Sequence, residues 1–292
     1  HAQNKGIMLH FVLNEAEEPN KRELDDGELG VERKLYYREL IARFGHFPAL
    51  QWNLCEEYNI RLKLEPEQVK AFAQYFRDTD PYNHPVTVHH ASSANKAWTS
   101  FLGDTRFQVT SFQENDLAVV EEWRRKSSQA GQPLVIGIDE LFPDKTGPEN
   151  IDRHRREYLW PVYFSGGNIE FILDNLLEVN DFRRYEKLWQ QMAYARAFLE
   201  SLPFWEMEPC DNLLKGSSEF IGKNNVVPGQ VFAKKGEVYA IYFPVAEKTG
   251  ALDLSDETGV FTSLWYSPRS GKYSATKRSI RGGESVSLGN PP

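Results

Sequence analysis

Two pairs of acidic residues each follow an apolar segment in this chain of 292 residues. Glu56 and Glu57 follow residues 48–55, and Asp139 and Glu140 follow residues 133–138. Two carboxyl groups across one pocket can cleave a glycosidic bond, because one protonates the leaving oxygen while the other attacks the sugar or activates water. The last acid of each pair is the best candidate, so we predict Glu57 as the general acid/base and Glu140 as the nucleophile.

Which acid of each pair faces the pocket stays open at this point, because adjacent residues of a strand point to opposite sides. Either pair alone could be a solvated turn after a strand. The pattern occurs twice, however, and no turn residue separates strand from acids in either copy. The match favours a functional pair over two unrelated turns.

Further polar and aromatic side chains lie at or near the ends of predicted strands, where parallel barrels collect their site residues. Those predicted to hold the hydroxyl groups of a sugar are His10, Asn14, Trp52, Asn53, Glu56, His89, His90, Gln113 and Asp139. Close to the glycine pair at 166–167, Tyr163 and Glu170 are predicted to form a sugar-facing wall together with Trp160. Packing inside the barrel is the alternative for that wall.

A metal-dependent hydrolase is the alternative for the histidines, with His89, His90, His10 and Asp139 as ligands. Adjacent histidines on one strand cannot easily face the same ion, and neither His-x-His nor His-x-x-x-His occurs. The sequence also lacks Gly-x-Ser-x-Gly and a phosphate-binding glycine loop. We therefore predict neither a metal nor a cofactor.

Composition limits the partners of the protein. The chain has 42 acidic and 34 basic residues and shows no basic stripe, which argues against nucleic acid. It contains no apolar run of the roughly 20 residues that a membrane helix needs. Its two cysteines, Cys55 and Cys210, are too few for a disulfide framework. A carbohydrate is the predicted partner, and the oligomeric state stays open.

Strand-like and helical patterns alternate up to about residue 200, which is typical of a parallel α/β fold. Strands are predicted at 7–13, 49–54, 86–90, 107–111, 134–138 and 162–164, and helices at 31–44, 66–77, 116–130, 150–160 and 181–202. A full (β/α)8 TIM-type barrel needs eight strands, so we expect that its first two β/α units precede this sequence.

After residue 210 the pattern changes to β-type runs at 230–233, 238–243 and 259–266, separated by turns that contain glycine. We predict a barrel domain over residues 1–210 and a small all-β sandwich over 211–292. The sandwich is expected to lack at least one strand, since the sequence ends soon after a polar tract at 278–287.

The segments at 50–57 and 135–140 resemble the retaining clan of (β/α)8 glycoside hydrolases, whose acid/base ends strand four and whose nucleophile ends strand seven. In that clan an Asn usually precedes the acid/base, and Glu56 occupies its place here. The resemblance implies a retaining mechanism with Glu57 and Glu140 in those roles. A non-catalytic carbohydrate-binding protein on the same fold is the alternative.

The segments at 155–167 and 204–209 look more narrowly like the bacterial apiosidase-like hydrolases, and those at 238–244 and 265–271 like the small β-domain that follows their barrel. That domain carries a collagen-binding label, but the resemblance does not imply collagen binding here. It implies a secreted or periplasmic enzyme from a bacterium that degrades plant or algal polysaccharide.

Overall fold

A computed structural model describes residues 2–16, 20–91, 93–146, 150–173 and 181–292. The chain divides into two compact units, one formed by His1–Glu114 and Ala118–Leu141, the other by Asn115–Leu117 and Phe142–Pro292. The two units are defined by their compactness alone, so they do not test the predicted domain boundary near residue 210, which stays a prediction. No helix in the described ranges is long and apolar enough to cross a bilayer.

The first unit alternates strands with helices. In chain order its elements are β1 (Leu9–Val12), α1 (Val31–Phe44), β2 (Leu50–Asn53), α2 (Pro66–Thr79), β3 (Val86–Thr87), α3 (Ala94–Ala97), β4 (Phe112–Gln113), α4 (Ala118–Gln129) and β5 (Ile136–Thr146), the last of which continues into the second unit. One-turn 3₁₀ segments also occur at Gln3–Lys5, Asn20–Arg22, Asp25–Gly27 and Thr99–Phe101.

The strands of the first unit pair in parallel. One sheet has the order β1–β2–β3, and β4 pairs with β5. Isolated parallel bridges join His89 to Ser111 and Val109 to Val135, where the sequence predicted longer strands. The parallel α/β part of the fold prediction is confirmed, while a closed eight-stranded barrel stays a prediction.

Helix α2 illustrates why the sequence forms these elements. Pro66 occupies its first turn, and the Glu65 N–H donates to Gln68 Oε1 at 2.8 Å, which caps the helix start. Its buried face includes Phe72 and Phe76, and the latter ring lies 5.2 Å from that of Trp52 on β2. This packing fixes the strand that leads to the first acidic pair.

After the end of β5 the second unit is mainly helical up to Glu200, and its remaining part is β-structure. Its helices are α5 (Ile151–His154), a π-helical turn (Arg155–Leu159), α6 (Trp160–Phe164) and α7 (Glu186–Glu200), with strand β6 (Gly167–Leu173) between α6 and α7. Shorter 3₁₀ segments occur at Phe182–Tyr185, Phe204–Glu206 and Asp211–Leu213.

Residues 162–164 are helical, so the strand predicted there is wrong. Pro161 suits the first turn of α6, and the rings of Trp160 and Phe164, four residues apart, lie 6.0 Å from each other. Short apolar runs fit a buried strand or a buried helix equally well, which explains the error.

The strands of the second unit beyond β6 form small antiparallel sheets. They are β7 (Glu208–Pro209), β8 (Leu214–Lys215), β9 (Phe220–Ile221), β10 (Val226–Val227), β11 (Gln230–Lys234), β12 (Val238–Tyr242), β13 (Ala251–Asp253), β14 (Val260–Ser267), β15 (Lys272–Arg281) and β16 (Ser285–Ser287). Three-stranded sheets have the orders β12–β11–β7 and β16–β13–β8, and β14 pairs with β15. The polar tract at 278–287 is thus largely strand.

Candidate active site

Four side chains of the first unit form a cluster around the imidazole of His89. The Nε2 atom of His89 lies 2.8 Å from Glu140 Oε2 and 3.3 Å from Glu56 Oε1. Its Nδ1 atom lies 3.3 Å from Asp139 Oδ1 and 3.2 Å from Ser111 Oγ. His89 and Ser111 pair through a parallel bridge, Glu56 lies in the turn after β2, and Asp139 and Glu140 lie within β5. The arrangement brings three carboxylates to one buried imidazole.

The charges of this cluster depend on one another. Burial alone would lower the pKa of His89, but hydrogen bonds and charge from Asp139 and Glu140, with the charge of Glu56, raise it to about 10. The pKa of Glu56 is raised, chiefly by burial and then by the neighbouring acids Glu140 and Asp139, although His89 opposes this. At neutral pH the site therefore holds an imidazolium beside its carboxylates.

His90 differs from its neighbour. Burial and the positive charge of His89 lower the pKa of His90 to about 4, so its imidazole is neutral. The ring stacks on His89 with centroids 5.9 Å apart and meets the edge of Phe112 at 5.5 Å. Its contacts are those of a packed side chain under the cluster.

Asn53 and Ser111 support the cluster from the strands below it. The Asn53 side chain accepts the His89 backbone N–H at 3.1 Å and donates to Ser111 Oγ at 3.3 Å. Ser111 in turn donates to Asp139 Oδ2. The amide of Asn53 is almost completely buried, so it orients His89 and Ser111 rather than facing solvent.

The turn after β2 decides which acid of the first pair enters the cluster. Glu57 lies in this turn and has a positive φ of 39°. Fully buried Lys21 donates through Nζ to the carbonyls of Glu57 at 2.6 Å and Ile60 at 2.8 Å. This contact holds the turn, and it is the carboxylate of Glu56 that lies beside His89 and Glu140.

Three further residues that were predicted to bind the sugar lie at or near the cluster or within the surrounding structure. The His10 ring lies 3.7 Å from Asp139, at the border of the cluster. Asn14 donates to the Leu54 carbonyl at 2.7 Å and accepts from Arg33 at 2.9 Å, so both ends of its amide are used inside the protein. Gln113 is the register partner of Glu140.

Trp52 is fully buried, and its indole N–H donates to Asp80 at 3.0 Å. Its ring therefore has no face open to a sugar in this structure. Tyr163 is half-buried and Glu170 exposed, and both belong to the second unit with Trp160, which stacks on Tyr242. Their predicted role as a sugar-facing wall stays a prediction.

Sequence reasoning did not single out Ser111, Lys21 or Arg33. Ser111 directly follows Val109-Thr110 at a predicted strand end, which is a usable signal. Lys21 and Arg33 lie in or after a polar loop, and nothing in the sequence marks them as fully buried. The guanidinium of Arg33 donates to the carbonyls of Lys21 and Leu24, each at 3.0 Å, and so closes that loop.

A metal ion is chemically compatible with the cluster. One ligand atom each from Glu56, His89 and Glu140 lies within 4.8 Å of the others. Imidazole and carboxylate groups both bind zinc, and catalytic zinc sites combine three protein ligands with a fourth position for water or substrate. Asp139, beside the other ring nitrogen of His89, has the place of an outer-shell partner that would orient a ligating histidine.

The solved structures to which this chain is similar are glycoside hydrolases. No protein-family profile and no curated protein matches the chain. Among solved structures, a glycoside hydrolase of family 5 from Bacteroides vulgatus aligns with a TM-score of 0.69 and 16% identity over 98% of this chain and 68% of its own. A second glycoside hydrolase aligns with a TM-score of 0.61 and 15% identity over 88% of this chain and 65% of its own.

A third structure, provisionally assigned as a glycoside hydrolase and also from Bacteroides vulgatus, has a TM-score of 0.58 and 11% identity. It covers 99% of this chain, which spans 59% of that protein. At these identities the comparisons show the fold alone. The chain has a fold that glycoside hydrolases use, and it spans about two thirds of their length or less.

Proposed function

We propose that this protein is a retaining glycoside hydrolase whose two working carboxyl groups are Glu56 and Glu140. The observation that carries the proposal is their proximity, with an oxygen of each within 4.8 Å of the other. Retaining glycosidases hold their carboxyl groups about 5–5.5 Å apart, whereas inverting enzymes leave about 6.5–9.5 Å for a water molecule. The short separation supports retention.

In the proposed reaction Glu140 attacks the anomeric carbon while the carboxyl group of Glu56 gives its proton to the departing glycosidic oxygen. Water then loses a proton to Glu56 and displaces Glu140 from the sugar. The raised pKa of Glu56 suits a group that must hold a proton before it acts. This role was predicted for Glu57 from the sequence, and the contacts of the first unit favour Glu56.

His89 would set the electrostatic environment of both groups. As an imidazolium 2.8 Å from Glu140, it places a positive charge and a hydrogen-bond donor beside the proposed nucleophile. When Glu140 becomes esterified by the sugar, one negative charge leaves the cluster. The pKa of Glu56 then falls, which favours its second role as a base.

Finer parts of the proposal rest on the sequence resemblance. They are closure of the fold into a (β/α)8 barrel, kinship with apiosidase-like hydrolases, and action on plant or algal saccharides by an exported bacterial protein. The family 5 and related glycoside hydrolases that share the fold support a carbohydrate as substrate.

The variant Glu140→Gln separates an enzyme from a carbohydrate-binding protein. We expect at least about a 10³-fold loss of hydrolysis on a responsive saccharide, because an amide cannot form the glycosyl ester. Saccharide affinity, measured by calorimetry, should change little. The control Glu39→Gln alters an exposed glutamate on α1. A saccharide that binds to the parent without ever being hydrolysed would favour the binding protein.

A metal-dependent hydrolase is the second candidate, because His89 and the two glutamates could also ligate an ion. Dialysis against a chelator, followed by assay with and without added Zn²⁺, distinguishes the two. A two-carboxylate glycosidase keeps its activity after chelation, since its own acids perform both steps. Loss of activity that Zn²⁺ restores would identify the metal enzyme instead.

A further inference from the structure

Three arginines of the second unit share one carboxylate. Asp152 on α5 lies 2.7 Å from Arg155 Nη2 and 3.1 Å from Arg156 Nη2. The Nε atom of Arg269, in the turn between β14 and β15, lies 3.7 Å from the same carboxylate. We call these four residues the arginine cluster.

The arginine cluster carries more positive than negative charge. Three guanidinium groups against one carboxylate leave two charges uncompensated, and no other acid pairs with them in the described part of the chain. The Arg155 side chain is only 6% exposed, and its Nε atom has no hydrogen-bond partner there. The buried Nε of Arg156 is also unpartnered. Unsatisfied buried donors add to the cost of the uncompensated positive charge, and an anion beside the exposed Arg269 would reduce that cost.

The frame of the arginine cluster is held in place by packing. Gln191 donates to the backbone carbonyl of Arg269 at 3.3 Å. In the same turn Gly271 has a φ of 68° and lies against Tyr194, so close that a Cβ there would be 2.5 Å from the ring. Arg156 lies over the ring of Phe220 at 5.5 Å. The donors are therefore preorganised, while Arg269, 64% exposed, keeps the cluster open to solvent.

We propose that the arginine cluster binds an oxyanion, and that this oxyanion is the carboxylate or sulfate group of an acidic saccharide. Planar guanidinium forks match the paired oxygens of both groups. Asp152 then orients the arginines, and its negative charge limits their affinity for the oxyanion. The saccharide part rests on the proposed glycosidase function, while oxyanion binding does not.

Calorimetry with sodium sulfate and with glucuronate, at low ionic strength and constant pH, tests the oxyanion site. We expect saturable binding that weakens about fivefold or more in Arg269→Gln, since one charged donor is lost. Asp152→Asn should bind more tightly, because a competing negative charge is removed. The control Arg183→Gln removes another exposed arginine, 89% exposed against 64% for Arg269 and paired with Asp181, and should bind like the parent.

Absence of sulfate and glucuronate binding to the parent, or equal binding by all variants, would overturn the oxyanion site. Oligogalacturonides and sulfated oligosaccharides, compared with a neutral oligosaccharide of equal length, distinguish a carboxylate from a sulfate ligand. Repeating the titrations with Glu140→Gln separates this inference from the enzymatic one, because that variant should retain oxyanion binding even if the parent proves to have no glycosidase activity. Equal affinity for neutral and acidic oligosaccharides would refute the saccharide part.

Discussion

At the level of single residues, the assignment of the acid/base role to Glu56 rather than Glu57 can be tested directly. Glu56→Gln should lower hydrolysis of substrates with poor leaving groups by about 10²–10⁴-fold, because the departing oxygen loses its proton donor. Substrates with activated leaving groups should still form the glycosyl-enzyme, which then accumulates and is detectable by mass spectrometry. The rate of hydrolysis by Glu57→Gln should stay close to that of the parent. The opposite ranking of the two variants would restore Glu57 as the acid/base.

Residue types were predictable from the sequence, but their orientation was not. Asp139 and Glu140 do reach one cluster with His89, but they lie within β5, which continues to Thr146, rather than after the end of the predicted strand. The choice within the first pair depends on the left-handed φ of Glu57. Fully buried Lys21, 36 residues away in sequence, supports that conformation, so local pattern could not predict it.

At the level of elements, Lys21 tests whether the turn after β2 positions Glu56. Lys21→Met keeps the length of the side chain but leaves the carbonyls of Glu57 and Ile60 without their donor. We expect a loss of about 1–3 kcal/mol in the free energy of unfolding and a fall in kcat that exceeds any change in KM. Lys34→Met, on the exposed face of α1, is the control. An unchanged kcat in a folded Lys21→Met protein would remove the positioning role.

The close approach of β5 to the bridge segment before β4 depends on Gly137. A Cβ at this position would lie 2.9 Å from the backbone carbonyl of Thr110, whose hydroxyl also accepts the Gly137 N–H at 2.9 Å. Gly137→Ala should therefore lower the unfolding free energy by about 1–3 kcal/mol in urea titrations. Gly259→Ala, where the nearest atom is 3.6 Å away, should change it little. Equal stability of the two variants would contradict this packing argument.

The secondary structure of segments with strong hydrophobic periodicity was predictable from the sequence, whereas that of short apolar runs was not. The predicted helix at 31–44 matches α1, and the strand at 49–54 contains β2. Residues 162–164 became helix because Pro161 and ring packing decided between two structures that the run allows. No strand was predicted in the polar tract at 278–287, which largely forms strands because β14 and β13 supply hydrogen-bonding partners.

At the level of the whole molecule, the ionisable groups predict greatest stability in mildly acidic solution. Burial would raise the pKa of Asp80, but hydrogen bonds from Trp52 and His84 hold it below its usual range. Asp80 therefore contributes stability that is present above its unfolded pKa of about 3.9 and is lost as the pH falls further. His89 has the opposite effect. Its contribution to stability is fully present below its unfolded pKa of about 6.5 and is lost as the pH rises towards its folded pKa of about 10. The raised pKa of Glu56 acts in the same direction as that of His89, because its contribution is present below its unfolded pKa of about 4.3 and is lost as the pH rises through its folded pKa.

Buried His90, whose folded pKa is about 4, also loses stability as the pH falls below about 6.5, so unfolding free energies measured by urea titration from pH 3 to pH 10 should rise to a maximum near roughly pH 6.5 and fall on either side. His89→Gln should lower the maximum and flatten the alkaline limb, because the cation that titrates there is gone. Asp80→Asn should flatten the acidic limb and leave the alkaline limb unchanged, since Asp80 contacts Trp52 and His84 rather than the His89 cluster. If the unfolding free energy of His89→Gln fell with pH as steeply as that of the parent in alkaline solution, His89 would not be a cation at neutral pH. Its proposed electrostatic role beside Glu56 and Glu140 would then fail as well.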